Sequence, residues 1–329
     1  MNIGENADRL RAVFNKPVFK LSYFGILFAV VAYYLSKWGD RFYSLVSEAN
    51  AGTITLVFVC LFGANLMYIF IYYYIYQRMR VRVSFLKVFR IMSLANLGKY
   101  IPGKILFVGN YFLLSREAGI GSRDVGTSFV ISQCLWFVSA CIFTIPVISV
   151  LSSSLKYSIV FLPLVIGLII HPKILNSILS LLGKIAQKFT KPGQEISLQI
   201  SEHISYALYA KITLLYILGW IIAGLGVYFG VLAFYPIGIK DLPICLSSIA
   251  ISTIVGFIAI FAPAGLGVRE GVGTVILAPV VSIETAFLVM LMLRLVGVVI
   301  ELCFASFSLA FIRVSSVQKF EESLQGNKR

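Results

Sequence analysis

Residues 53–76 read TITLVFVCLFGANLMYIFIYYYIY, 24 positions without a charged side chain. That exceeds the roughly 20 apolar residues that cross the hydrocarbon core of a bilayer. Only helices and closed barrels satisfy every backbone N–H and C=O where there is no water, so runs of this kind dictate the fold. Others lie at about 18–36, 126–150, 211–235, 243–262 and 284–312, with a shorter one at 157–170. None alternates with the period of two that marks a barrel strand, which leaves helices. The sequence therefore predicts an all-α, polytopic membrane helix bundle, a single transmembrane domain over 1–329. A mean hydropathy of +0.92 with 59% hydrophobic residues excludes a soluble globular chain of this length.

The net charge of +14 is distributed as a topology signal and not as a nucleic-acid footprint, because basic residues crowd some loops and avoid others. QRMRVRVSFLKVFR (77–90) carries Arg78, Arg80, Arg82, Lys87 and Arg90 and no acid, the strongest cytoplasmic marker in the chain. The leader 1–17, with Arg9, Arg11 and Lys16, and the tail 313–329, with Lys319, Lys328 and Arg329, belong on the same side. Both termini are thus expected in the cytoplasm. The first apolar run follows its basic leader without a small-residue cleavage site and reads as a retained helix. Within the polar segment 171–210, ILNSILSLLGKIAQKF has helical periodicity and a lysine-bearing side, the pattern of an amphipathic helix on the inner leaflet. The five cysteines all sit in apolar runs without a CxxC pair, so neither a disulfide framework nor a zinc site is expected.

Two segments break the pattern. In IMSLANLGKYIPGKILFVGNYFLLS (91–115) two apolar halves flank GKYIPGK, and each is too short to span. In the second, 256–281, the stretch IFAPAGLGVREGVG puts Arg269 and Glu270 in a glycine-rich interruption. By charge counting, the runs before and after this second break both start outside, so the chain between them must leave the outer face and return to it. A re-entrant hairpin with PAGLG at its tip does so. The first break lies between two basic loops, which gives a hairpin entering from the inside. Each break has a proline followed by an Arg-Glu pair, Arg116–Glu117 and Arg269–Glu270, although the proline-to-arginine spacing differs. The expectation is two re-entrant helical hairpins related as an inverted repeat, as in secondary transporters whose broken helices meet near the midplane.

Irregular backbone at membrane depth is tolerated only when buried in protein or lining a wet cavity. Breaks rich in glycine and proline free N–H groups, and half-helix N-termini favour anions. Lys99, Lys104, Arg116, Arg269 and Arg294, with Gly103, Gly265 and Gly267, are accordingly the expected site for a lipid phosphate. Arginine would grip it bidentately and lysine as a point charge. Glu117, Glu270 and Glu301 are the groups available to carry protons, and Asn96, Tyr100 and Asn110 the supporting polar side chains. A plainer role is open to several of these. Arg269–Glu270 and Arg116–Glu117 would also serve as ion pairs pinning the hairpins, and Arg294 and Glu301, seven apart on one helical face, as a structural pair. All four aspartates are expected in loops, no D-x-D pair, Walker A or H-E-x-x-H occurs, and no enzyme activity, cofactor or metal is expected.

The two breaks also carry a family resemblance. NLGKYIPGK (Asn96, Tyr100, Ile101, Pro102, Gly103, Lys104) is similar to an N-x-x-x-Y-[IL]-P-G-[KR] segment, and PAGLGVRE (Pro263, Gly265, Leu266, Gly267, Arg269, Glu270) to P-x-G-[LI]-G-x-R-E. Both are typical of the lysylphosphatidylglycerol synthase transmembrane region family, also called flippase-like domain proteins, and the chain resembles it over roughly 10–315. Ala264 stands where the second segment commonly has glycine. The resemblance implies a multispanning protein of the bacterial cytoplasmic (inner) membrane that moves an anionic lipid or lipid-linked sugar between leaflets. It also leaves room for a non-catalytic partner of a membrane glycosyltransferase in cell-envelope glycan synthesis. Full synthases of the family carry a large soluble aminoacyl-transfer domain; about 17 residues follow the last apolar run here, so that reaction is not expected of this chain.

Overall fold

The computed structural model describes residues 50–100, 105–149, 206–259 and 262–326, and all regular structure among them is helical. Eight α-helices are described: α1 (Ala51–Arg78), α2 (Phe85–Leu97), α3 (Ile105–Glu117), α4 (Ser122–Ile142), α5 (Tyr206–Leu232), α6 (Leu242–Ile258), α7 (Val268–Leu277) and α8 (Ile283–Gly326). The expected leader, the runs at 18–36 and 157–170, and Gly103 and Lys104 lie outside the described residues. So does the expected amphipathic segment, except for residues 206–210, which open α5.

Five stretches are long and apolar enough to cross a membrane: Ala51–Arg78, Ser122–Val147, Ala207–Leu232, Ile239–Ile258 and Ile283–Ala310. The chain is a membrane protein, and its surface agrees: Val59, Leu214, Val275 and Phe307 each expose more than half of their area. In water such a surface would be a liability, whereas lipid tails solvate it. The helix starts follow local chemistry. Asn50 caps α1 by accepting from the Gly52 amide at 2.8 Å, and Ser84 accepts from Lys87 at the start of α2. The last helix departs from expectation. It continues past Arg313, where the sequence suggests a polar tail, because no glycine or proline stands between Gly297 and Gly326 to end it.

Packing is built on α5, which lies along α1 and also touches α4, α6 and α8; α8 in turn crosses α2 and α7. Apolar burial does not drive helices together in lipid, so close contact depends on small side chains and satisfied polar groups. On α6 the buried Ser247, Ser248 and Ser252 return their hydroxyls to carbonyls of their own helix, at 2.8, 2.8 and 3.2 Å. Two helix pairs are joined through breaks: α2 packs on α3, and α6 packs on α7. The breaks themselves, a 3-10 turn at Gly98–Tyr100 and another at Pro263–Gly265, touch each other. Tyr100 and Ala264 form a small cluster there with Val298 and Leu302 of α8.

A candidate anion site where the two breaks meet

Residues 294, 297, 298, 301 and 302 recur at three- and four-residue spacing, which puts them on one face of α8, and that face is where the breaks converge. Lys99 Nζ lies 2.5 Å from Glu301 Oε1, and the Tyr100 hydroxyl donates to Glu301 Oε2 at 2.9 Å. One turn of the first break thus places two donors on one carboxylate. Seven residues earlier on α8, Arg294 donates through Nη2 to the Ala264 carbonyl at 3.0 Å, and its Nε lies 3.8 Å from Glu270 Oε1. Lys99 and Arg294 both stand 5.4 Å from the Tyr100 ring centroid, so the ring has two cations within cation–π range. Arg294 and Glu301 therefore do not pair with each other, and Arg269 and Glu270 do not pin one hairpin; each α8 charge reaches across to a different break.

The second break is shaped by its backbone. Ala264, Gly265 and Gly267 all have positive φ, 50°, 73° and 78°. Two of the three are glycine, which carries no Cβ penalty in that region. A Cβ at Gly265 would stand 2.9 Å from the Gly256 Cα, so the turn lies directly on the end of α6. A Cβ at Gly256 would collide with Arg269 Cγ; the Arg269 stem therefore lies over that bare stretch of helix. From there its Nη2 donates to Thr253 Oγ1 at 2.7 Å. No carboxylate of the described residues lies within salt-bridge distance of Arg269.

These groups line one end of a cavity of about 270 Å³. Among the described residues that end holds three cations (Lys99, Arg269, Arg294) and two carboxylates (Glu270, Glu301), an excess of one positive charge with Arg269 as its unmatched member. A charge in a low-dielectric interior is costly unless it is paired. The lining also has an aromatic wall, Tyr68, Trp136, Tyr216 and Trp220, with Trp136 and Trp220 ring centroids 5.4 Å apart. Gln133 fixes that wall by donating to the Tyr72 and Tyr68 hydroxyls at 3.1 and 3.3 Å, and Ser132 meets the Tyr216 hydroxyl at 2.5 Å.

The structure thus brings together Lys99, Tyr100, Arg269, Glu270, Arg294 and Glu301 from three separate segments, with Asn96 on the cavity lining. Gly265 sits buried in the turn that carries Arg269, and Gly267 is exposed beside it. Arg116 and Glu117 do not belong to the cluster. They are exposed in the last turn of α3, roughly 17 Å along its axis from Ile105 at 1.5 Å per residue. Asn110, half-buried on α3, does not line the cavity either. Sequence reasoning missed Thr253, Gly256 and the aromatic wall. A signal for the wall exists: Trp136 and Trp220 sit well inside apolar runs, whereas tryptophan in membrane helices favours the interfaces.

Comparison with curated proteins finds no match. Against protein families, residues 21–305 match the description lysylphosphatidylglycerol synthase TM region, a stretch that contains both breaks and every residue of the cavity. The chain belongs to the lysylphosphatidylglycerol synthase TM region family.

Proposed function

We propose that this protein carries an anionic lipid across the membrane, its phosphate held in the cavity where the two breaks meet. The observation that carries this reading is Arg269, a guanidinium inside the bundle whose hydrogen bond among the described residues goes to a neutral hydroxyl. A phosphate ester would neutralise it with two parallel N–H···O bonds, and Lys99 and Arg294 stand in the same cavity. The helix–break–helix pairs act as re-entrant hairpins from opposite faces. In support, α2 and α3 have 13 residues each and α7 has 10, about 20 and 15 Å at 1.5 Å per residue, against a core of roughly 30 Å; α6, with 17 residues or about 25 Å, is the long arm of the second pair. A site at the meeting point of two such hairpins is reachable from either leaflet by a shift of one pair against the other. No covalent chemistry is assigned to the site; the protein acts by binding and rearrangement, and the membrane is the bacterial inner membrane with both termini in the cytoplasm.

Proteoliposomes test the reading. Protein reconstituted with a fluorescent anionic phospholipid should equilibrate the label between leaflets, scored by the fraction open to an external quencher. Arg269→Ala should abolish the acceleration and Arg116→Ala should leave it within about twofold, since an exposed charge outside the cavity contributes little. Equal rates for wild type and Arg269→Ala would remove the site assignment.

A further inference from the structure

On α1, Tyr68, Tyr72 and Tyr76 recur every fourth residue and so share one face. Tyr68 stands in the cavity wall, and Tyr76 lies eight residues further on, about 12 Å nearer the basic end at Arg78. Asp124, Ser128 and Ser132 repeat the spacing on α4, with Asp124 in its first turn. Hydrogen bonds join the two stripes. Tyr111 of α3 sits between Tyr76 and Ser128, with hydroxyl distances of 2.5 and 2.8 Å. One turn beyond Ser128, the half-buried Asp124 lies within electrostatic reach of Tyr76. Nearer the cavity, the Ser132 hydroxyl meets Tyr216 at 2.5 Å and stands against Tyr72 as well. The Gln133 amide donates to the Tyr72 and Tyr68 oxygens, so each hydroxyl turns its own proton onward. Polar side chains hold helices together in lipid, and a network with that role alone would close on itself. This one stays open. Thr127 of α4 and Tyr209 and Thr213 of α5 are buried with hydroxyls that have no partner among the described residues. An orphaned buried hydroxyl costs about 1–3 kcal/mol, and a water molecule relieves it. Ser128 and Ser132, one turn and about 5–6 Å apart, are separated by a gap that one water spans. Toward the opposite ends of α1 and α5 the buried side chains are apolar: Val57, Leu61, Val227 and Val231.

We infer that this seam of hydroxyls between α1, α3, α4 and α5 is a proton path from the basic end of the bundle to the cavity, with Asp124 as its entry. A proton from bulk water binds the Asp124 carboxylate and passes to Ser128. Each hydroxyl or bridging water then gains one proton and releases one, until a cavity carboxylate, Glu270 or Glu301, is neutralised. Only O–H bonds form and break, and the proton is the only species displaced. The charged and titratable neighbours are Arg123 beside Asp124, Cys134 beside Tyr209, and Lys99, Arg269 and Arg294 in the cavity. The charge count gives the path its use. The cavity carries an excess of one positive charge, and protonating either carboxylate raises it to two. An anionic phosphate then binds more tightly, and losing the proton loosens it. A lipid monoanion and one proton together are neutral, so the pair crosses without opposing a membrane potential. The path stands without the lipid reading; its coupling to a lipid rests on that reading.

The test uses the full chain in proteoliposomes that hold a trapped pH indicator and fluorescent phosphatidylglycerol, with the potential held at zero by potassium and valinomycin. A difference of one pH unit should drive the label toward the leaflet on the alkaline side, to about a tenfold excess for one proton per lipid. The indicator should record protons moving the same way. Tyr111→Phe and Asp124→Asn should slow that accumulation at least about tenfold, less than the roughly 10²–10⁴ of a positioned proton donor because a water replaces the missing group. Both should leave equilibration at equal pH within about twofold, since exchange of labelled for unlabelled lipid releases no proton. Tyr228→Phe removes a hydroxyl of α5 outside the seam and should match wild type in both measurements. Equal label distributions with and without the pH difference overturn the proton path and leave the lipid reading standing. Accumulation on the acidic side overturns it as well, because the charge count carries proton and anion together. An unimpaired response in both Tyr111→Phe and Asp124→Asn shows that protons take another route and removes this one. If the label moves in no preparation, the lipid reading fails and the indicator decides alone. A wild-type proton flux severalfold above that of Tyr111→Phe then supports the path, and equal fluxes overturn it.

Discussion

Two Arg-Glu pairs follow the two breaks, and they meet opposite fates. Arg269 and Glu270 sit in the first turn of α7, directly after the PAGLG turn, and face the cavity. Arg116 and Glu117 end the 13-residue α3, with the rest of that helix between them and the preceding break, and both are exposed. The difference is one of helical reach. A side chain serves a break only from within about a turn of it, because each residue moves the chain 1.5 Å away. Among the described residues, the first break therefore supplies a cation from the other side, through Lys99 in the turn before the proline, and a hydroxyl through Tyr100. Equivalent words in the sequence are not equivalent positions in space.

The comparison is broken most forcefully at Lys99. Lys99→Met should destabilise the protein by about 2–4 kcal/mol, since it leaves Glu301 in the bundle with only the Tyr100 hydroxyl. That is somewhat below the roughly 3–5 kcal/mol of a fully buried pair, because the Lys99 side chain keeps 24% of its surface exposed. Adding Glu301→Gln should recover most of the loss in thermal unfolding. Arg116→Met, at the exposed end of α3, should change the unfolding free energy by no more than about 0.5 kcal/mol. A Lys99 variant as stable as wild type would mean that the first break does not depend on this pair.

Next in size is the binding effect of the Arg-Glu pairs themselves. Arg269→Ala should weaken a phosphate-bearing lipid by about ten- to a hundredfold, the 1.5–3 kcal/mol of a charge-assisted contact. Arg116→Ala should change it by less than twofold. Titration of both variants with the same lipid reads this directly, and similar losses in the two would restore the symmetry that the structure breaks.

Much of this was legible in the sequence. The spans were, because 20-residue apolar runs admit one backbone solution in lipid. The breaks were, because GKYIPGK (98–104) and PAGLGVRE (263–270) interrupt runs otherwise free of charge, and Arg294 and Glu301 stood out as charges at depth. Pairing was not. Periodicity places Arg294 and Glu301 on one face of α8, but whether they meet each other or reach separate breaks depends on where two distant turns pack. Arg116 falls outside the cavity because a dipeptide match carries no information about the length of helix between it and the break. Thr253 and Gly256 were invisible for a related reason. Nothing in STIVGF shows that an arginine stem 13 residues further on lies across that glycine.

That glycine yields a smaller, sharper effect. Gly256→Ala places a methyl group where Arg269 Cγ now lies, so the guanidinium must swing from Thr253 and from the cavity. A loss of up to about tenfold in lipid binding is expected, and it should vanish in an Arg269→Ala background, where there is no stem left to displace. Persistence of the full loss in the double variant would show that Gly256 acts on the helix packing alone.

The smallest effect concerns the turn that presents Arg269. Ala264 holds φ 50° and ψ 19°, the left-handed region, and its carbonyl is fixed by Arg294. An L residue there costs roughly 1–2 kcal/mol that glycine avoids, while glycine's extra freedom in the unfolded chain gives back about 0.4–1 kcal/mol. Ala264→Gly should therefore stabilise the protein by about 0.5–1 kcal/mol, a rise of one to a few degrees in the unfolding midpoint. The sign is informative because two influences oppose each other. The methyl group of Ala264 is buried against Tyr100 and Val298, where it helps the two breaks stay in contact. If Ala264→Gly lowers the midpoint, that methyl contact outweighs the backbone strain, and the junction between the breaks is held by packing at least as much as by its charges.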